Sequence, residues 1–132
     1  MTSTPTPSAR ITEEVAAWPG VETVYGRRGE LAFKVGRREL GHVHGDHTAH
    51  FAFPAEVWVV LREQNRIIEH PVFPGRAGPA TRRIEDDADV REVIELMRLN
   101  YHRIVADPAA ELEPETEGPG RPRDLDYGPA AQ

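Results

Sequence analysis

The segment from Leu31 to Phe53 constrains the fold more than any other part of the chain, because glycine-bearing turns interrupt short apolar–polar alternations at close intervals. Leu31, Phe33 and Val35 alternate with Ala32 and Lys34, the period of a half-buried strand. Gly36-Arg37 turns the chain into a strand from Arg38 to His44, and Gly45-Asp46 turns it into another from His47 to Phe53. Upstream, Val21–Tyr25 reads as a strand that meets Leu31 through the Arg27-Arg28-Gly29 turn. Connections this short join antiparallel neighbours, so the spacing predicts a meander of four short strands.

Helical periods flank the meander. Ser8 is a candidate N-cap, with Ile11, Val15 and Trp18 on one face of a helix that Pro19-Gly20 stops. Pro54 suits the first position of a second helix, whose buried stripe is read as Val57, Val60 and Leu61 and whose C-terminal cap is Asn65. Residues 66–80 read as a long connection and Thr81–Ile84 as a last strand. Asp86 or Asp87 caps the longest helix, on which Val90, Val93, Ile94, Met97, Tyr101 and Ile104 repeat with helical period to about Ala106. The order α-β-β-β-β-α-β-α predicts an α+β domain. It has a single small antiparallel sheet of four to five strands with three helices packed on one face. Leu31, Phe33 and Val35 are expected to pack under the long helix through Val93, Ile94 and Met97.

Composition separates this domain from its ends. Residues 1–8 are rich in Thr, Ser and Pro, and residues 107–132 carry seven acids against two Arg together with five of the twelve prolines. Such segments bury too little apolar surface to offset chain entropy and are expected to be disordered, which leaves residues 9–106 as the folded unit. Much of the net charge of −6 lies in the tail. A pI near 5.5 argues against a nucleic-acid partner. The absence of Cys excludes disulfides, thiolate metal sites and a cysteine nucleophile. No apolar run approaches a membrane span and the N-terminus lacks the features of a secretory signal, so no membrane partner and a cytoplasmic location are expected.

Histidine carries the functional signal. Four of the six His fall within nine residues, at positions 42, 44, 47 and 50, and a fifth, His70, lies between Glu69 and Pro71. Strand alternation places His42 and His44 on one face. A two-residue turn at 45–46 adds His47 to that face. A three-residue turn at 45–47 pairs 44 with 48 and 42 with 50, adds His50, and leaves His47 at the loop tip. A one-residue change of register reverses every side chain, and the three-residue turn is favoured because it leaves His47 at an exposed tip and gathers three imidazoles on one surface. Three imidazoles on one face suit a divalent transition metal held by His42, His44 and His50, or a general base near neutral pH. An exposed polar face without function is the plain alternative. Arg83, Tyr101 and Trp58 are weaker candidates for contacting a substrate, each with an ordinary surface or packing role as its simpler reading. Asp46 reads as a turn residue bonding its own backbone, and His102 as surface.

The run Glu39-Leu40-Gly41-His42-Val43-His44, followed by His50, Pro54 and Glu69-His70-Pro71, resembles the luciferase-domain family, which includes the luciferases of bioluminescent fungi and many small bacterial proteins. The resemblance spans roughly residues 10–105. It implies an oxygenase that needs no cofactor and acts on a small molecule and O₂, as the fungal enzymes oxidise a 3-hydroxy-2-pyrone such as 3-hydroxyhispidin. By this analogy His42, His44, His50 and His70 are the catalytic positions, with one as base and another stabilising an oxyanion. The expected function is therefore a cofactor-independent oxygenase, or a related proton-transfer enzyme of cyclase or decarboxylase type, acting on an enolic or pyrone-like secondary metabolite. The link from His44 to His50 is shorter than in the fungal enzymes, and light emission does not follow from a shared site. A His-coordinated metalloenzyme and a non-catalytic module binding a small ligand or metal are the other readings.

Overall fold

The computed structural model describes residues 4–106. The expectation for the acidic tail at 107–132, and for the first three residues, lies outside the described residues. The elements run α1 (Pro7–Val15), β1 (Val21–Tyr25), β2 (Leu31–Val35), β3 (Arg38–His44), β4 (Thr48–Ala52), α2 (Ala55–Glu63), β5 (Ile68–Glu69), β6 (Pro79–Arg83) and α3 (Asp87–Ala106). All neighbouring strands are antiparallel, in the order β1-β2-β3-β4-β6-β5. The fold is thus α+β with one open sheet.

The sheet has six strands, where four to five were expected. The additional strand, β5, sits inside the segment read as a connection. It is two residues long, too short for alternation to register. β6 starts at Pro79, two residues earlier than expected, because proline is tolerated as the first residue of a strand. α1 starts at Pro7 with Thr6, not Ser8, as its N-cap, and the Thr6 hydroxyl accepts from the Ala9 N–H. Pro7 fits the first helical position, where its missing N–H is no loss. The Ser8 N–H instead donates to Asp46 Oδ1 at 2.9 Å, so Asp46 ties the β3–β4 turn to the start of α1 and does not bond its own backbone as expected. Asp86 caps α3, accepting from the Asp89 N–H. Asn65, at φ 61°, ends α2 with the Arg66 N–H bonded back to the Leu61 carbonyl.

One face of the sheet is apolar. Phe33, Val43, Ala49, Phe51 and Ala80 are buried there with Val93, Leu96 and Met97 of α3, and Ile11 and Val15 of α1 join the same core. Leu31, Val35 and Ile94 pack at its margin. On α2 the buried residues are Trp58 and Leu61, while Val60 is exposed. Val57–Leu61 is apolar almost all round, so its period is ambiguous, and the largest side chain takes the core.

The pairing of β2 with β3 contains the feature that shapes the site. Lys34 pairs with Glu39, and Phe33 with Gly41, which leaves Leu40 as the extra residue of a β-bulge. Leu40 is fully buried. A Cβ on Gly41 would lie 2.8 Å from the Phe51 ring, so only glycine fits there. The fully buried Asn100 of α3 donates through Nδ2 to the carbonyls of Leu40 (3.0 Å) and Ala52 (3.2 Å), and its Oδ1 accepts from Arg103.

Candidate active site

The opposite face of the sheet carries the histidines. His42 pairs with His50 and His44 with Thr48, so the turn between β3 and β4 has three residues, as expected. Directly paired residues share a face, and the registers extend one row across all six strands: Val24, Ala32, His42, His50, Thr81 and Ile68. A second row holds His44, Thr48 and Arg83. The His42 and His44 rings are 5.1 Å apart between centroids, His42 and His50 are 5.3 Å apart, and His44 and His50 are 4.8 Å apart.

His70 reaches the same cluster from the segment after β5, its ring centroid 4.1 Å from that of His50. It is 7% exposed. Its Nδ1 accepts from the Val72 N–H at 3.1 Å, the Phe73 N–H donates to its carbonyl, and the Phe73 ring packs against its imidazole. Pro71 and Pro74 restrict this segment, and Glu69 Oε1 accepts from the Gly75 N–H to close it.

Glu39 is the residue of the histidine face that alternation conceals. Residues 39 and 42 of a regular strand point to opposite faces. The bulge adds one residue between them, and both come to the histidine face, where His42 Nδ1 lies 2.7 Å from Glu39 Oε2. The signal available in the sequence is the glycine inside a strand pattern, a mark of a bulge.

The four imidazoles differ electrically. Burial disfavours a charged His42, but the Glu39 carboxylate, by charge and by hydrogen bond, raises its pKa above the ordinary value. Burial opposes the Glu39 charge too, yet His42 and then Lys34 hold that carboxyl below its usual range. Burial, followed by the charge of His42, lowers His44. Burial and then the neighbouring imidazoles lower His50 to about 2 and His70 to about 4.

Hydrogen bonding then fixes the proton on two rings. His42 donates Nδ1–H to a carboxylate, which leaves a lone pair on Nε2 when the ring is neutral. His70 accepts at Nδ1 and, being neutral, carries its proton on Nε2. A proton acceptor and a proton donor thus stand on either side of His50. His42, His44 and His50 each offer one nitrogen, all within 4.8 Å of one another, and these three could hold a metal ion. His70 is outside that set.

Arg83 lies on the histidine face, paired with Thr48 and exposed. It also lines a groove of about 400 Å³ at the sheet edge with Arg66, Ile68, Thr81 and Arg82. The buried Thr81 hydroxyl, beside His50 in register, has no hydrogen-bond partner among the described residues. Arg82 faces the other way and is bound by Asp89 and the Arg66 carbonyl. The structure does not bring Trp58 and Tyr101 to the cluster. The Trp58 indole is buried and donates to the Pro79 carbonyl, and the Tyr101 hydroxyl donates to the Pro19 carbonyl with its ring against Trp18. Both have amphipathic rings whose polar tips find backbone partners. His47 is at the exposed turn and His102 is exposed.

Fold and site together define an open-sheet α+β domain that presents a histidine cluster on the face opposite its core. Residues 37–100, from the start of β3 through most of α3, match the family model of the Luciferase domain, which is consistent with the luciferase-domain family. The matched segment contains Glu39, the bulge, all four clustered His and Asn100. No curated protein and no solved structure matches the chain. Among the described residues no helix is long and apolar enough to cross a membrane.

Proposed function

We propose that this chain is an enzyme that removes a proton from an enolic, pyrone-like small molecule and exposes the resulting enolate to O₂. The observation that carries the reading is the pair of opposed Nδ1 contacts in one cluster: His42 Nδ1 lies against the Glu39 carboxylate, which leaves Nε2 bare when that ring is neutral, and His70 Nδ1 accepts from the Val72 N–H, which leaves the proton of the neutral ring on Nε2. His42 takes the enol proton through Nε2, and the new imidazolium is stabilised by Glu39. His70 donates to the enolate oxygen. The electron-rich carbon then reduces O₂ by two electrons as a carbon–oxygen bond forms, and the imidazolium returns its proton to the peroxide. Collapse of that peroxide with loss of CO₂ completes an oxygenase cycle, and the same first step serves a cyclase or decarboxylase. Arg83, exposed on the same face, would hold the rest of the substrate.

A second reading is favoured by the three nitrogens of His42, His44 and His50, which suit a divalent transition metal. Metal content of the purified chain separates the two, since a stoichiometric ion supports the second. Oxygen uptake with 3-hydroxy-2-pyrones tests the first. Uptake that persists after metal removal and is lost in His42→Ala is the expected result. Stoichiometric binding of the pyrone without any turnover would make the domain a binding module.

A further inference from the structure

Glu39 lies within hydrogen-bond reach of His42 only because the sheet is irregular at that point. If Leu40 took an ordinary pairing position, period-two alternation would send the two side chains to opposite faces. The irregularity is held from three sides. Gly41 leaves the space that a Cβ would take from the Phe51 ring, Leu40 is buried in the core, and Asn100 binds the Leu40 carbonyl. The Glu39 side chain is 39% exposed and that of His42 only 19%, so the carboxylate sits at the rim and the imidazole inside.

We propose that Glu39 is a positioning residue, brought onto the histidine face by the Leu40–Gly41 bulge, whose carboxylate holds His42 as the Nδ1–H tautomer and so keeps the Nε2 lone pair available beside His44 and His50. Free imidazole in water prefers the other tautomer, with the proton on Nε2, in which His42 could neither accept a proton nor bind a metal through that atom. The carboxylate therefore decides whether His42 works, through orientation and tautomer and without touching the substrate. The inference rests on His42 acting through Nε2, and it holds whether that atom takes a proton or a metal ion.

The test is long-range ¹H–¹⁵N spectroscopy of the metal-free full chain in alkaline buffer, with His42 assigned by its loss in His42→Gln. The expected result is a protonated Nδ1 and a pyridine-like Nε2 on His42 in the wild type. In Glu39→Leu the proton moves to Nε2. In the isosteric Glu39→Gln the amide oxygen keeps the proton on Nδ1, but its resonance moves upfield as a charged acceptor becomes a neutral one. An Nε2–H tautomer in the wild type, an unchanged tautomer in a folded Glu39→Leu, or an unshifted Nδ1–H in Glu39→Gln would each overturn the proposal. Because the readout involves no substrate, a chain with the Nδ1–H tautomer and no pyrone turnover sinks the proposed reaction and leaves this inference standing. Where turnover is measured, Glu39→Leu should lower kcat roughly 10–100-fold, the usual effect of losing a partner that orients a working histidine, with KM little changed and with Glu39→Gln retaining more of the activity.

Discussion

His50 and His70 sit where an added charge is unwelcome, and that makes them sensors of acid. Their pKa values, about 2 and about 4, lie below the ordinary 6.5, so between these limits the unfolded chain binds more protons than the folded one. Stability of the metal-free protein should then rise with pH up to about 6.5. His42 has the opposite sign. Its pKa is raised, so its contribution is complete below 6.5 and is lost as pH rises through the folded value. Denaturant unfolding at a series of pH values should show a maximum near 6.5. The acid limb should flatten in His50→Asn and the alkaline limb in Glu39→Gln. A profile that is level from pH 4 to 8 in the wild type would mean that these imidazoles are solvated. Functionally, His42→Ala should lower turnover roughly 10²–10⁴-fold, the usual range for loss of a general base, with little change in melting temperature. Destabilisation with activity retained would assign His42 a structural role.

At the scale of elements, the β3–β4 hairpin and the bulge before it build the site. The hairpin was legible in the sequence: strand alternation puts His42 beside His44, and a three-residue turn adds His50. The bulge was not, since alternation assumes one residue per pairing position, and on that assumption residues 39 and 42 fall on opposite faces. β5 escaped for a related reason, as two residues carry no period. Trp58 and Tyr101 are weak candidates for substrate contact in the sequence, with packing as their simpler reading, and backbone carbonyls satisfy their polar atoms. The bulge should be costly to disturb. Gly41→Ala drives a methyl into the Phe51 ring and should cost about 1–3 kcal/mol, as overpacking does. Asn100→Leu strips the Leu40 and Ala52 carbonyls of a donor in the core and should cost roughly 1–3 kcal/mol. Chemical denaturation measures both, and losses below 0.5 kcal/mol (about the noise expected of surface changes) would mean that the bulge is held by other contacts. Asp46 joins the hairpin to α1. The Ser8 N–H bond holds its carboxyl below the usual range, so Asp46→Ala should lose about 1 kcal/mol near neutral pH. That difference should fade as pH falls through the depressed carboxylate pKa, and a pH-independent deficit would contradict the role.

For the whole molecule, the sheet divides folding from chemistry. One face is closed by α1 and α3 over a core in which Met97 is fully buried, and Met97→Ala should cost roughly 2–5 kcal/mol. The other face carries a row of histidines across strands that the core holds rigid, so side chains there can be selected for reaction and not for packing. The central claim is that this face takes a proton from an enol through His42. It is tested most directly by mixing the full chain with a 3-hydroxy-2-pyrone without O₂, at a pH where the free pyrone is protonated, and recording its absorption spectrum. The account predicts that the enolate band appears with the wild type, in proportion to bound pyrone, and is absent with His42→Ala. An enolate band of equal strength with His42→Ala, or bound pyrone that stays protonated on the wild type, would contradict it.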